Sequence, residues 1–224
     1  MSRPAIAICA AMLVVPSIAR AQLVGRDLPR MGTFEISGGA LWSGGYSFET
    51  ALANETRNPT TGTAPLTLFQ GKPRLDTATG AEAHLGMYLG RRVSIEGGVQ
   101  FSRPSLTVRT SADFENAPET TAASPITQYV IDGSLLYQFR SGRLGPFVSV
   151  GAGYLRQILE NNSIVETGNE IHGGGGVKYW FGGGRRFGFR AEARVSSRSG
   201  GVSLDALAKR RLVPAVSAGL VYLF

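Results

Sequence analysis

The chain has 224 residues, of which 43% are hydrophobic and 17% are charged, and its formal net charge is +7. A chain of this length needs only one all-β domain, and so low a charge density is unusual for a protein whose whole surface faces water. The basic residues are spread along the sequence and form no single stripe, so we predict no nucleic-acid binding.

The first 21 residues have the three parts of a secretory signal peptide. Arg3 gives a positive start, residues 5–19 form an apolar stretch, and residues 19–21 form a small-x-small cleavage site. The apolar stretch is shorter than the roughly 20 residues that a spanning helix needs, and Pro16 interrupts it. We therefore predict that residues 1–21 direct export and are removed.

Cleavage before Gln22 leaves a mature chain without thiols, because the single cysteine, Cys9, lies in the signal. Two arginines leave with it, so the formal net charge falls from +7 to +5. The absence of cysteine suits passage through an oxidising periplasm. The mature chain then consists of a short periplasmic segment over 22–32 and one domain over 33–224.

Eight segments of this domain alternate between apolar side chains and small or polar ones. They cover residues 33–42, 80–90, 93–101, 128–139, 148–154, 171–181, 187–196 and 216–224. A period of two residues indicates β-strands with one apolar and one polar face. No other uninterrupted apolar run reaches the length of a spanning helix, so residence in a membrane would require strands. The predicted fold class is all-β, an eight-stranded antiparallel up-and-down transmembrane β-barrel.

The composition of the two strand faces predicts which one points inward. The polar face consists of Gly, Ser and charges of both signs, which suits a narrow lumen. The apolar face ends in aromatic residues such as Trp42, Tyr154 and Tyr222, which suits the interfacial belts of a membrane barrel. We therefore predict apolar side chains toward lipid; the alternative, a soluble lipocalin-like barrel, would bury them.

The connections between the segments alternate in length. They are long over residues 43–79, 103–125, 157–169 and 197–211, and they are tight after the second, fourth and sixth segments. Long extracellular loops and short periplasmic turns alternate in this way. Both termini are then periplasmic, and the first and last strands pair to close the barrel. The long loops offer room for an extracellular ligand, whose identity the sequence leaves unknown.

The last six residues, Gly219-Leu220-Val221-Tyr222-Leu223-Phe224, look like the C-terminal signature of bacterial outer-membrane proteins. With the signal peptide and the eight segments, the whole mature chain resembles the small OmpA/OmpX-type outer-membrane β-barrel group, a porin-like class. The resemblance implies the outer membrane of a Gram-negative cell envelope, with its lipids as partners. It also implies that the barrel-assembly machinery reads Leu220, Tyr222 and Phe224.

Nine ionisable residues fall on the polar face, and a salt-bridge and hydrogen-bond network among them would fill the lumen. They are Glu35, Glu82, His84, Glu96, Asp132, Lys178, Arg190, Glu192 and Arg194. An eight-stranded interior is only just wide enough for its own side chains, so we predict that the network serves packing and charge compensation. The alternative is a gate that admits water or ions.

The two histidines, His84 and His172, suggest no catalytic or metal site by themselves. Zinc needs three or four convergent ligands, and the mature chain offers neither a cysteine nor a third histidine. His172 is followed by four glycines and by no nearby serine that it could activate. We predict no catalytic residue, no cofactor and no metal, and a structural or surface-binding protein. A narrow pore and a lipid-modifying enzyme that uses a distant serine remain alternatives.

The three tight turns each carry two arginines and no acid. These residues are Arg91, Arg92, Arg140, Arg143, Arg185 and Arg186. Their positions predict contact with the anionic phospholipid headgroups of the inner leaflet. The alternative is that they are ordinary solvated turn residues.

Overall fold

The structure, a computed structural model, describes residues 29–54, 67–111, 113, 115, 117–139, 142–159, 164–182, 186–202, 204 and 210–224. The predicted signal peptide lies outside the described residues. The described residues form strands and contain no helix long and apolar enough to cross a membrane. The strands are β1 (Phe34–Ser43), β2 (Tyr46–Ser47), β3 (Ala51–Asn54), β4 (Thr67–Leu75), β5 (Ala78–Tyr88), β6 (Val93–Ser102), β7 (Ser105–Ser111), β8 (Thr120–Gln138), β9 (Leu144–Leu159), β10 (Val165–Trp180), β11 (Phe187–Gly200) and β12 (Arg211–Leu223).

Eight of these strands form a closed antiparallel barrel. Each pairs with its neighbour in the order β1, β5, β6, β8, β9, β10, β11, β12. The last strand, β12, then pairs with β1, with Ile36 opposite Tyr222, so the sheet has no free edge. The predicted eight-stranded up-and-down barrel is confirmed.

The first described residues, the C-terminal residues and the described parts of the tight turns lie at one end of the barrel, which we call the turn end. At this end Gly32 N–H donates to the carbonyl of Tyr88, and Phe224 N–H donates to that of Phe34. The opposite end, the loop end, carries the longer connections from β1 to β5, from β6 to β8 and from β11 to β12. These three agree with the predicted alternation of loop lengths, whereas the connection from β9 to β10 is short.

Several of the barrel strands extend further than the hydrophobic pattern indicated; β8, for example, already begins at Thr120 and β12 at Arg211. β9 runs to Leu159 and β10 begins at Val165, so the expected long loop over 157–169 is largely strand. The apolar alternation covers only part of these strands, because outward-facing residues beyond the lipid need not be apolar. Arg156 pairs with Thr167 there, and both side chains are exposed.

The first two long connections also contain strands where loops were expected. β4 is flanked by β3 and β7, and β7 pairs with the first residues of β8. We call these four strand segments the loop-end sheet. Its sequence, as in Thr107-Val108, is rich in residues that favour extended backbone, a signal that the absence of a long apolar alternation obscured.

The outer wall of the barrel is apolar, as predicted. Ile131 is 59% exposed, whereas its neighbour Asp132 is 6% exposed and points inward. Aromatic side chains form a turn-end belt, made of Tyr137, Phe139, Tyr179, Phe181, Phe187, Tyr222 and Phe224, and a loop-end belt, made of Trp42, Phe101, Tyr129 and Tyr154.

The distance between the two belts matches a hydrocarbon layer. Phe139, the residue after the end of β8, lies ten positions beyond Tyr129. Such a stretch rises about 34 Å along the strand, or about 26 Å along the axis at a tilt of about 40°. The apolar band of an outer-membrane barrel is about 25 Å tall.

Two apolar clusters lie at opposite ends of the interior. The loop-end cluster consists of Phe48, Leu75, Leu106, Ile126 and Val202. The turn-end cluster consists of Tyr88, Trp180, Val221 and Leu223. Polar side chains occupy the interior between them.

Candidate functional site in the lumen

All nine ionisable residues predicted for the lumen are buried inside the barrel. They come from six of its strands, because alternate residues of every strand point inward. The structure brings them together in two groups, one nearer the turn end and one nearer the loop end.

The turn-end group is built around two buried cations. Lys178 Nζ lies 2.6 Å from Glu35 Oε1 and 3.3 Å from Glu96 Oε1. Arg190 reaches Glu96 Oε2 at 2.7 Å and Glu192 Oε2 at 2.6 Å. Arg190 also lies 3.8 Å from Glu35 Oε1, so Lys178 bridges two carboxylates and Arg190 three. The four strands that carry these residues are thereby tied together across the lumen.

Aromatic residues complete this group. Tyr88, part of the turn-end cluster, donates its hydroxyl to Glu35 Oε2 at 2.8 Å. The Phe147 ring lies 5.4 Å from Lys178 Nζ and 5.0 Å from Arg190 Cζ, within cation–π distance. Side chains rather than open space therefore surround the two cations.

The loop-end group is centred on Arg194. Its guanidinium contacts Glu82 Oε2 at 2.6 Å and Asp132 Oδ2 at 3.4 Å. Gln100 Nε2 donates to the same Asp132 oxygen at 2.9 Å, and His84 Nε2 lies 3.2 Å from Glu82 Oε1. Asp132 therefore uses one carboxylate oxygen, Oδ2, to contact both Gln100 and Arg194.

Glu170 and Arg198 form a further buried pair that the sequence pattern did not indicate, with Oε2 and Nε 2.8 Å apart. Both residues lie outside the predicted segments, since β10 and β11 extend beyond the apolar alternation. A signal was present: Glu170 lies two residues before His172, and Arg198 lies four residues after Arg194, each on the same strand face.

His172 has a serine partner that its own stretch of sequence does not reveal. Its Nε2 lies 2.9 Å from Ser134 Oγ, and its Nδ1 lies 3.7 Å from Glu170 Oε1. The hydroxyl comes from β8, so neighbouring residues on β10 gave no sign of it. Ser134, His172 and Glu170 thus follow one another like a nucleophile, its base and an orienting acid. These side chains face the interior of the barrel, which has an apolar cluster at each end.

Three potential metal-ligand atoms converge at the same place. One atom each from Asp132, Glu170 and His172 lies within 4.8 Å of the other two. The sequence did not indicate this grouping, because Asp132 and His172 are on different strands and Glu170 lies before the predicted segment of β10.

The buried charges of the described lumen do not balance. Six acids and four bases are buried: Glu35, Glu82, Glu96, Asp132, Glu170 and Glu192 against Lys178, Arg190, Arg194 and Arg198. With neutral histidines the described lumen therefore carries two excess negative charges.

The described turn arginines lie at the turn end with exposed side chains. They are Arg91, Arg92, Arg143 and Arg186. Arg140 and Arg185 lie outside the described residues. Contact of this set with lipid headgroups stays a prediction.

Two residues of the predicted assembly signal, Leu220 and Tyr222, lie on the outer face of β12, and Phe224 follows directly after this strand. Leu220 is 53%, Tyr222 37% and Phe224 65% exposed, and the two aromatic rings pack at 5.1 Å. An assembly factor would find them on the strand that closes the barrel. Their recognition by the barrel-assembly machinery stays a prediction.

A closed antiparallel barrel with an apolar wall, two aromatic belts and a polar interior belongs to the class of outer-membrane β-barrels. A model of the family described as outer membrane protein beta-barrel domain matches residues 8–208, and the chain belongs to that family. The protein is therefore located in the outer membrane.

Solved structures of similar fold include two small outer-membrane proteins. The outer membrane protein OprG from Pseudomonas aeruginosa is 14% identical, with a TM-score of 0.58 over 88% of this chain and 99% of that chain. Neisserial surface protein A is 16% identical, with a TM-score of 0.54 over 86% of this chain and 99% of that chain. At such low identity the likeness concerns the fold alone. A search of curated protein sequences finds no match.

Proposed function

We propose that this protein is a sealed barrel that anchors the loop-end sheet at the cell surface, where it binds an extracellular partner, and that it performs no covalent chemistry. One observation carries the proposal. The polar interior is crossed by networks of buried ion pairs and has an apolar cluster at each end.

A continuous water path would have to break buried ion pairs. Lys178, for example, would have to leave both Glu35 and Glu96, and all three side chains are at most 3% exposed. Breaking a buried pair by loss of one partner costs about 3–5 kcal/mol, because the other charge stays buried without compensation. The network therefore favours a packing role over a gate.

The loop-end sheet offers the exposed surface for binding. Leu52 and Leu68 are 54% and 40% exposed, and Lys72 lies on the same sheet face. Apolar side chains that stand beyond the lipid and next to charged ones are characteristic of interaction surfaces. The surface is held by β8, a strand that continues into the barrel wall.

Single-channel recording in planar bilayers tests the sealed interior. The purified barrel should give no stable conductance steps, and a porin reconstituted in the same way provides the positive control. Reproducible steps from the heat-modifiable, folded protein would overturn the proposal in favour of the pore.

Thiol labelling of intact cells tests the orientation. We expect a membrane-impermeant maleimide to label Lys72→Cys in intact cells, and to label the matched turn-end variant Arg92→Cys only after the outer membrane is permeabilised. Labelling of Arg92→Cys alone in intact cells would place the loop-end sheet in the periplasm and contradict a surface role.

A serine-directed fluorophosphonate tests the absence of covalent chemistry. Because Ser134 faces the filled lumen, the folded wild type and Ser134→Ala should show the same background labelling. Labelling that Ser134→Ala abolishes would support the lipid-modifying enzyme and contradict the proposal.

A further inference from the structure

Two glycines of β9 allow residues of β8 and β10 to meet across that strand. Gly151 pairs with Ser134 on one side and with His172 on the other, while Gly153 pairs with Asp132 and with Glu170. A Cβ on Gly151 would lie 2.6 Å from His172 Nε2 and 2.7 Å from Ser134 Oγ. A side chain at position 151 would therefore keep Ser134 on β8 apart from His172 on β10.

The polar groups that meet there leave three buried atoms without a hydrogen-bond partner. They are Asp132 Oδ1, Glu170 Oε1 and His172 Nδ1, and these residues are 6%, 1% and 2% exposed. They are also the three residues whose ligand atoms lie within 4.8 Å of one another. Buried polar atoms without a partner are costly, so three of them on neighbouring side chains require an explanation.

The remaining atoms of the same side chains are held in place. Asp132 Oδ2 accepts from Gln100 Nε2, Glu170 Oε2 accepts from Arg198 Nε, and His172 Nε2 pairs with Ser134 Oγ. When the histidine donates from Nε2, its Nδ1 carries a lone pair toward the carboxylates. Metal sites show this arrangement, in which outer hydrogen bonds orient the ligands and set the histidine tautomer.

We propose that Asp132, Glu170 and His172 bind a divalent first-row transition-metal ion inside the lumen, near the loop-end belt. One nitrogen and two carboxylate oxygens suit Zn²⁺ or Mn²⁺, with water as a further ligand. Calcium fits poorly, because it takes six to eight oxygen ligands. This site goes beyond the proposed surface role and does not depend on it.

The charge of the described lumen supports the assignment. One divalent cation neutralises the two excess negative charges left by six buried acids and four buried bases. Two protonated histidines would do the same without a metal. That arrangement is the competing explanation, and the experiment below separates the two.

The test is a metal content measured after refolding, because a filled lumen leaves little room for an ion to enter later. Protein unfolded in urea with EDTA is exchanged into chelator-free buffer and refolded in detergent with Zn²⁺. The folded form, identified by heat-modifiable migration, is desalted for elemental analysis. We expect about one Zn²⁺ per folded chain.

Matched variants assign the ion to its ligands. Asp132→Asn combined with His172→Gln should lose the bound ion, whereas His84→Gln, which alters the other lumen histidine, should keep it. Ser134→Ala removes a positioning residue only, and we expect about 10- to 100-fold weaker binding.

A spectroscopic measurement keeps the proposal falsifiable if the double variant does not fold. Wild type and His84→Gln refolded with Co²⁺ should show the same ligand-field absorption bands, distinct from those of the hydrated ion. Folded wild type that retains no Zn²⁺ and shows only hydrated Co²⁺ would overturn the site, as would His84→Gln losing the ion while the double variant keeps it.

Discussion

At the scale of single residues, the lumen depends on charges that have no access to water. Lys178 is 1% exposed, and its ammonium contacts carboxylates from both β1 and β6. A buried ion pair adds little stability compared with an apolar packing of the same volume, but removal of one partner is costly. The contribution of Lys178 is therefore best seen by removing it.

We predict that Lys178→Met lowers the free energy of unfolding by about 3–5 kcal/mol, because Glu35 and Glu96 would lose a buried partner. Urea titration in lipid vesicles measures the change. The exposed turn variant Arg143→Gln should change stability by no more than about 0.5 kcal/mol. Equal stability of Lys178→Met and wild type would show that the carboxylates are not held as described.

The sequence predicts the inward position of these residues but not their partners. Alternation along β10 and β11 is enough to place Lys178 and Arg190 on the polar face. It cannot show that His172 meets Ser134, since that contact depends on the missing side chain at Gly151. The inward position of Glu170 was not predicted, because the apolar alternation that indicates a strand ends where the barrel wall extends beyond the lipid.

At the scale of the elements, closure depends on a close approach between β1 and β12. Gly39 lies directly opposite Gly219, and a Cβ on Gly219 would overlap the carbonyl oxygen of Gly38. The overlap involves backbone, which a rotamer change cannot relieve. A side chain at this position would push apart the two strands that remove the sheet edges.

We predict that Gly219→Val prevents most of the chain from reaching the compact, heat-modifiable form. Electrophoresis of unboiled refolded samples measures the folded fraction. The adjacent variant Ala218→Val, whose side chain points outward, should fold like wild type. Normal folding of Gly219→Val would contradict the described seam.

The eight barrel strands follow from the sequence because lipid imposes apolar residues on one face and a narrow lumen imposes small or polar ones on the other. The loop-end sheet has neither constraint, so β4 and β7 left no comparable pattern. The same reason explains why the predicted segment of β9 ended too early and that of β10 began too late.

At the scale of the whole molecule, charge is distributed along the barrel axis. The described turn end carries exposed arginines, the wall between the aromatic belts is apolar, and the ionic network lies inside. A cation near an anionic membrane surface gains about 1 kcal/mol. We therefore expect the turn arginines to favour insertion beside an anionic leaflet.

We predict that changing all six turn arginines to Gln reduces insertion into phosphatidylglycerol vesicles several-fold and leaves insertion into phosphatidylcholine vesicles unchanged. Protease protection measures the inserted fraction. The loop-end variant Lys72→Gln with Arg109→Gln and Arg156→Gln should behave like wild type. Unchanged insertion of the six-residue variant into anionic vesicles would remove the headgroup contact.

The most direct test of the account is the environment of outward and inward side chains in a bilayer. Spin labels at Ile131→Cys and Val150→Cys should collide with oxygen dissolved in the lipid and be shielded from a water-soluble nickel chelate, whereas a label at Lys72→Cys should meet the chelate. A label at Ser149→Cys, inside the lumen, should be shielded from both. Access of the chelate to Ile131→Cys and Val150→Cys, or to Ser149→Cys, would contradict a sealed polar lumen inside an apolar wall.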